Sequence, residues 1–277
     1  MPRPRESAVR VAVVHPDLLG TYGDGGNGVV LAERLRWRGV PAEVVEIRSG
    51  EPVPATCDVY CLGGGEDGPE ARSALELLDG RPLNRAVDDG AVVLAVCAGF
   101  QVVGQEFAGA DGRPLPGLGL LDVRTRKGSG PRAVGEVVAD PVGLARSDRS
   151  IPPLTGYENH GAVTELGPGV RLLARVRVGV GNGGGDGSEG AVSGRVVGTY
   201  LHGPVLARNP ALADALLAWV VGAGGEEDGD ALAPLDDAEV DELRRQRLAQ
   251  ASALAARRPG LVGRLRQGVA GLRPPLR

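Results

Sequence analysis

The sequence predicts an α/β fold with a mostly parallel sheet, to which antiparallel strands are added. Two observations predict it. In the first hundred residues, unbroken apolar runs alternate with helical segments, and such strands need helices on both faces of the sheet. From about residue 118 to 200, short valine-rich runs follow one another between turns, as antiparallel strands do.

The composition is that of a globular protein with many backbone-breaking residues. The chain has 277 residues, of which 42% are hydrophobic and 24% charged, and it is long enough for a sizeable core in one or two domains. Its 45 glycines and 21 prolines make up about a quarter of the chain, just below the level typical of low-complexity sequences. The glycines must therefore have local roles.

Charge and cysteine content exclude several classes of protein. A net charge of −4 gives no basic field for nucleic acid, and no stretch approaches the roughly 20 apolar residues of a membrane span. The first apolar run, 9–14, is too short and too interrupted for a signal peptide. Three cysteines without disulfide or metal-site spacing predict a cytoplasmic protein with no metal or other cofactor in this chain.

The elements of the first hundred residues follow from these patterns. Gly39 and Gly80 end two helices, and Pro69 stands in the first turn of the second. We expect strands at 9–14, 42–47, 58–62 and 91–96, and helices at 27–38, 69–80 and 83–89.

The second half contains more strands and then a change of composition. Strands are expected at 134–138, 170–178 and 191–200, and a helix at 210–221 with Asn209 as its N-cap. The segment 181–190 is interpreted as a solvated hairpin tip, although a functional loop stays open. Residues 1–222 form the predicted catalytic domain. Residues 223–277 are an appendage: an acidic linker, a charged helix at 236–258 that docks on this chain or on a partner, and an Arg/Gly/Pro-rich tail.

Cys97 is the candidate nucleophile. It stands directly after the apolar strand 91–96 and before a helix expected at 100–108, and Ala98 and Gly99 allow a tight turn. The N-terminus of that helix is expected to lower the pKa of the thiol. The alternative is a small buried core cysteine.

A cysteine nucleophile needs a base, and the chain has three histidines. His202 follows a valine-rich strand, at the sheet edge where α/β proteins present catalytic groups, so we choose it. His160 lies in a polar turn and is the reserve. His15 also follows a strand but precedes Pro16.

Gly63–Gly65 are the candidate oxyanion donors. The backbone N–H of Gly64, together with that of Ala98, could stabilise a developing negative charge on a carbonyl oxygen. A phosphate-binding loop is the alternative, but no lysine follows these glycines and they do not match a dinucleotide fingerprint.

These residues carry a resemblance to a known family. The motifs A-V-C-A-G-F-Q with Cys97, G-T-Y-L-H-G-P with His202 and L-G-G-G-E-D together resemble the class I glutamine amidotransferases of the cobyric acid synthase type, over about residues 9–222. The motifs Y-G-D-G-G-N-G and G-Y-E-N-H-G are similar to those of GatD, the family of glutaminase subunits of lipid II isoglutaminyl synthase.

The resemblance implies a three-layer α/β sandwich and a glutaminase reaction. Cys97 would attack the glutamine side chain, His202 would protonate the departing ammonia, and water would hydrolyse the thioester. Gln101 and Arg132 would bind the glutamine, although a solvated surface charge is an equal reading of Arg132.

The resemblance also implies a partner. Ammonia would pass to a Mur-ligase-like synthetase subunit of a heterodimer, which would hold ATP and Mg²⁺. That subunit would amidate the α-carboxylate of D-glutamate in lipid II, the membrane-bound precursor of peptidoglycan, and so serve cell-wall biogenesis and cell shape.

Two positions depart from the broader family and leave alternatives open. Pro204 stands where other class I members carry a glutamate, and Ala95 replaces a glycine. The missing acid leaves the third member of a triad unassigned and favours a Cys–His dyad. The rival functions are an amidotransferase of corrinoid synthesis, a peptidase or deglycase built on the same turn, and a silent binding subunit.

Overall fold

A six-stranded sheet forms the centre of the protein in the computed structural model, which describes residues 7–144, 151–222 and 232–257. In spatial order, its strands are Ala191–Ser193 (β13), Val196–Thr199 (β14), Val92–Val96 (β4), Val59–Leu62 (β3), Val9–Val14 (β1) and Ala42–Ile47 (β2). All neighbours pair in parallel except β13, which forms an antiparallel hairpin with β14. The carboxyl ends of β1, β3, β4 and β14 therefore lie along one edge, which we call the parallel edge.

Two four-stranded sheets extend this core. The first contains Ala162–Leu166 (β10), Val123–Lys127 (β7), Glu106–Ala108 (β5) and Pro114–Pro116 (β6). The second contains Ser188–Glu189 (β12), Ala174–Val178 (β11), Ala133–Pro141 (β8) and Leu154–His160 (β9). All their pairings are antiparallel except that of β5 with β7, as the valine-rich pattern of this region predicts.

Two groups of helices pack around the central sheet, and a further helix, Ala238–Arg257 (α7), contacts the second four-stranded sheet. The other described helices are Gly26–Arg36 (α1), Asp67–Leu78 (α2), Pro82–Asp88 (α3), Ala98–Val102 (α4), Val205–Arg208 (α5) and Pro210–Val221 (α6). Helices α1, α5 and α6 contact one another, while α2 contacts α3 and α4. Every residue of β3, β4 and β14 is buried, which requires cover on both faces of the sheet. The predicted α/β class is confirmed. Among the described helices, none is both long and apolar enough to span a bilayer.

The helix after Cys97 is shorter than predicted. It ends at Val102, and Glu106–Ala108 is a strand instead of a third helical turn. A Cβ on Gly104 would lie 2.9 Å from the Val123 side chain and 3.0 Å from its carbonyl oxygen. The chain turns here because only glycine fits so close to β7.

The prediction of a solvated loop at 181–190 is wrong for the two ends of this segment, which are buried. Asn182 is fully buried, its side chain accepts the N–H of Gly190 at 2.7 Å, and its amide donates to the Gly190 carbonyl at 3.2 Å. Glu158 accepts the N–H groups of Val180 and Gly181 at 2.8 and 2.9 Å. Only the tip, residues 184–186, is exposed.

Asn209 precedes α6 as predicted, but its side chain does not cap the helix. It accepts the N–H of Thr155 at 2.9 Å and donates to the carbonyls of Thr155 and Val205, both at 2.8 Å. A buried amide at this position therefore links β9 to α5.

The charged C-terminal helix packs on this chain. Arg34, almost fully buried on α1, forms ion pairs of 2.7 Å with Asp214 of α6 and with Asp237, next to the first residue of α7. Arg38 donates to the carbonyl of Ala233 at 2.7 Å. Most of the predicted linker and the Arg/Gly/Pro-rich tail lie outside the described residues.

Candidate active site

Cys97 stands on the predicted sharp turn between β4 and α4. Its φ of 52° and ψ of −105° are a conformation that residues other than glycine seldom adopt and that is typical of a nucleophile turn. Its N–H donates to the carbonyl of Thr199 at 2.8 Å, which extends the β4–β14 pairing into the turn. A Cβ on Gly99 would lie 2.7 Å from Leu62 Cβ and 2.9 Å from the Leu62 carbonyl oxygen, so glycine is required there.

The expectation of a lowered thiol pKa is wrong. Cys97 is 7% exposed, and burial raises the pKa of its thiol to about 12, with the Glu70 and Asp24 carboxyls acting in the same direction. The N–H of Ala98 and the charge of Arg132 oppose this shift but do not overcome it. The resting side chain is a neutral thiol, and its reaction requires a base to remove the proton.

His202 has a carboxylate partner that sequence reasoning missed. Its Nδ1 lies 2.7 Å from Oδ2 of Asp24, and both side chains are buried. Because a carboxylate only accepts, Nδ1 carries the proton, and Nε2 has no partner among the described residues. The predicted dyad is thereby corrected: an acid orients the histidine, as in a catalytic triad.

Asp24 lies in the Gly-rich loop after β1, within the motif Y-G-D-G-G-N-G. The loop is held by a bond from the N–H of Thr21 to the carbonyl of Gly64, at 3.1 Å, and it turns at Gly23, where φ is +72°. Asn27 accepts the N–H of Leu206 at 3.0 Å, just beyond His202. The same motif thus contacts both His202 and the segment after it. The sequence does contain a signal that Asp24 and His202 lie close together: Asp24 follows strand β1 as His202 follows β14, and the two parallel strands end at the same edge of the sheet.

The geometry changes the oxyanion assignment. The N–H of Gly64 donates to Asp24 Oδ2 at 3.0 Å, so it does not face the Cys97 cavity as predicted. A Cβ on Gly64 would lie 2.5 Å from His202 Cε1, which shows why this position is glycine. Gly65, the next residue, lines the cavity instead, and the N–H of Ala98 stays beside the Cys97 sulfur.

A cavity of about 150 Å³ opens beside Cys97, and two predicted binding residues, Gln101 and Arg132, line it. Arg132 donates to the side chain of Asn159 at 2.5 Å and to its carbonyl at 3.1 Å. Asn159 in turn donates to the hydroxyl of Tyr22, whose ring lies 4.8 Å from that of His202. The remaining charged and titratable residues of the wall are Glu66, Asp67, Glu70, Arg126, Lys127 and His160.

His160, the reserve base, also lines the cavity but has no carboxylate within hydrogen-bond distance. Its ring stacks on that of Tyr200 at 3.9 Å, and its Nδ1 lies 3.2 Å from the carbonyl of Ala162. Burial lowers its pKa to about 4. His15 is buried away from this cavity, with its Nδ1 2.9 Å from the hydroxyl of Ser73. His202 therefore remains the better candidate.

The two other cysteines lie in the core. Cys57 and Cys61 are buried and unpaired, and burial raises the pKa of both thiols. Within the described part of the chain, no cluster of three or more histidine, cysteine or acidic side chains could hold a metal ion.

Residues 10–210 match the model of the CobB/CobQ-like glutamine amidotransferase domain. The chain is 36% identical over 203 residues to the GatD subunit of lipid II isoglutaminyl synthase (glutamine-hydrolyzing) from Staphylococcus aureus, covering 73% of this chain and 79% of that one. The Streptococcus pneumoniae GatD subunit is 30% identical over 213 residues, covering 76% and 79%.

The chain is also similar to a relative named for a different function and to a solved structure. A cobyric acid synthase from Sphingopyxis alaskensis is 33% identical over 208 residues, covering 70% of this chain but 39% of that one. A crystal structure of a glutamine amidotransferase shares the fold, with a TM-score of 0.52 and 21% identity, covering 76% of this chain and 98% of that one. The chain is an enzyme that belongs to the CobB/CobQ-like glutamine amidotransferase family.

Proposed function

We propose that this chain is the glutaminase subunit of a two-component amidotransferase that acts on lipid II. The observation that carries the glutaminase part is the arrangement of the parallel edge, where Cys97 stands on a strained turn and Asp24 orients His202. A buried neutral thiol and an oriented base, which follow the neighbouring parallel strands β4 and β14, are suited to attack on an uncharged carboxamide.

In the proposed reaction, Nε2 of His202 removes the proton of Cys97 as Sγ attacks the amide carbon of glutamine. The negative charge on the amide oxygen is stabilised by the N–H groups of Gly65 and Ala98. His202 then returns the proton to the departing nitrogen, which leaves as ammonia while the thioester forms.

Water completes the cycle. His202 removes a proton from the attacking water, the carbon–sulfur bond of the thioester breaks, and Cys97 regains its proton as glutamate leaves. Throughout, Asp24 stabilises the imidazolium form of His202 without itself being protonated.

Arg132 and Gln101 bind the amino-acid end of glutamine in this proposal. Arg132 lines the cavity and is already oriented by Asn159, and a guanidinium is the natural partner of an α-carboxylate. Gln101 lies one turn after Cys97 on α4 and faces the same cavity.

The acceptor is inferred from the relatives. The chain matches 79% of the length of the GatD subunits but 39% of the cobyric acid synthase, which supports lipid II over a corrinoid. The partner of the proposal is a Mur-ligase-like synthetase that binds ATP and Mg²⁺ and uses the ammonia to amidate the α-carboxylate of D-glutamate.

The test is to express the full chain with its synthetase partner and to measure glutamate release from glutamine. Cys97→Ala should reduce this release by a factor of about 10⁴ or more, because the nucleophile is lost. Cys57→Ala removes a buried cysteine outside the site and is the matched control. Undiminished release by the Cys97→Ala complex would overturn the assignment, and ammonia-dependent amidation of a corrinoid instead of lipid II would change the acceptor.

A further inference from the structure

Glu70 is a buried carboxylic acid in the wall of the Cys97 cavity that the mechanism above does not use. It lies in the first turn of α2, five residues after Gly65, and its side chain is 3% exposed. Its Oε1 is buried and has no hydrogen-bond partner among the described residues. A buried polar atom without a partner costs about 1–3 kcal/mol, so its retention in the cavity wall points to a ligand.

Burial, assisted by the nearby Asp67 carboxylate, keeps the Glu70 carboxyl neutral. Glu70 interacts electrostatically with Asp67 on its own helix and with Cys97 and Tyr200 on neighbouring elements. Burial and the Asp67 charge raise the pKa of Glu70 to about 9. The other charged or titratable residues of the same cavity are Glu66, Arg126, Lys127, Arg132 and His160, and the described structure contains no ion pair between Glu70 and any of them.

A neutral carboxyl is complementary to a carboxamide. The acid offers one O–H donor and one carbonyl acceptor, while the amide offers a carbonyl acceptor and an N–H donor. The two groups can therefore form a pair of hydrogen bonds in one plane. A carboxylate ligand lacks the N–H donor and would leave the Glu70 carbonyl unpaired.

We propose that the Glu70 carboxyl binds the side-chain carboxamide of glutamine and orients its carbonyl carbon toward Cys97 Sγ. This inference rests on the proposed glutaminase function and identifies the residue that recognises the reacting group. Glu70 also favours release of the product, because the carboxylate of glutamate satisfies only one of the two hydrogen bonds.

The test compares Glu70→Gln and Glu70→Ala in the full chain with its synthetase partner. Glutamine retains a donor and an acceptor, so Glu70→Gln should keep KM within about threefold at pH 7. Glu70→Ala should raise KM about tenfold or more, the loss expected when about 1.4 kcal/mol of hydrogen bonding is removed. Glu76→Gln, on the same helix but outside the cavity wall, is the matched control.

The pH profile is a readout that a purely structural role would not change. As pH rises through about 9, Glu70 ionises in the native protein and loses its donor, so wild-type kcat/KM should fall. Because Glu70→Gln does not ionise, its kcat/KM should fall less over the same interval. Superimposable profiles of the two proteins would overturn the inference, even if Glu70→Ala fails to fold.

Alkylation of Cys97 gives a readout that is independent of turnover. Iodoacetamide carries a carboxamide and iodoacetate a carboxylate, so the ratio of their rates at Cys97 measures the preference for the amide. The ratio should fall in Glu70→Ala and persist in Glu70→Gln. An unchanged ratio and KM in Glu70→Ala, or equal losses in both variants, would refute the role of Glu70. Absence of glutamine hydrolysis by the wild-type complex would instead refute the proposed function.

Discussion

The parallel edge and the antiparallel sheets contribute different kinds of residue to the same cavity. The parallel edge supplies buried groups: Cys97, His202 and Asp24 are at most 7% exposed, and Cys97 has a backbone conformation of high energy. The antiparallel sheets supply cations at the rim, including Arg126, Lys127 and the nearby Arg132, all of which are solvent-exposed.

In our proposal, the buried groups of the parallel edge perform the chemistry and the exposed groups of the antiparallel sheets bind the substrate. Groups that exchange protons need exclusion of water and fixed geometry, which a sheet covered on both faces provides. Groups that capture a charged amino acid from water need access, which the antiparallel extension provides. Substitutions at the parallel edge should therefore reduce kcat, while those in the antiparallel sheets should raise KM.

Among the substitutions that test this difference between the two regions, the largest effect is expected from Asp24→Asn. The substitution keeps the size of the side chain, but its amide can turn an N–H toward Nδ1 of His202 and favour the wrong tautomer. We expect kcat to fall by about 10³–10⁴ with little change in KM. Steady-state glutaminase kinetics measure this, with the exposed Asp111→Asn as the control. A loss of less than tenfold would mean that His202 acts without an acid.

A smaller effect, on stability, is expected from Gly99→Ala. The added Cβ would lie 2.7 Å from Leu62 Cβ and 2.9 Å from its carbonyl oxygen, so β3 and α4 must separate. Overpacking of this kind costs about 1–3 kcal/mol in the free energy of unfolding. Urea unfolding measures the change.

Gly68→Ala is the control for that measurement. A Cβ there meets no atom within 4 Å, and Gly68 lies in the first turn of α2. Alanine should be neutral or should stabilise the protein by about 0.4–1 kcal/mol. If both variants unfold at the same urea concentration, close packing at Gly99 does not explain the glycine.

The smallest effect is expected from Arg132→Lys. Lysine keeps the charge but loses the forked guanidinium that contacts both oxygens of Asn159 and, in our proposal, the carboxylate of glutamine. We expect KM to rise about tenfold, which corresponds to about 1.4 kcal/mol, with kcat nearly unchanged. Arg124→Lys, which changes an exposed residue of β7 outside the cavity wall, is the control. A fall in kcat without a change in KM would mean that Arg132 acts in the chemical step. That result would contradict the assignment of substrate binding to the antiparallel sheets.

The sequence predicted residues that follow strands and missed those whose role depends on distant contacts. The position of Cys97 between an apolar strand and a tight turn was sufficient to predict its backbone geometry. The pairing of Asp24 with His202 is not predictable from the sequence, because 178 residues separate the two and no local pattern joins them. Gly64 was assigned to the oxyanion hole because spacing cannot tell which of three successive N–H groups faces a cavity.

Secondary structure shows the same difference between features set by neighbouring residues, which the sequence predicts, and features set by distant contacts, which it does not. Strand β2 was predicted at Ala42–Ile47, with the bounds that the structure has, because alternation and apolar runs are local properties. The two ends of the 181–190 segment were misjudged because its glycines indicated flexibility, whereas buried Asn182 and Glu158 hold them through hydrogen bonds that no composition reveals.

The sequence by itself determined the α/β class, the turn that carries Cys97 and the strand end that carries His202, since each depends on neighbouring residues. Only the tertiary structure decided that Asp24 orients His202, that Gly65 and not Gly64 faces the cavity, and that the Cys97 thiol is neutral at rest. Those properties depend on burial and on contacts between segments far apart in the chain, which exist only once the parallel edge has assembled.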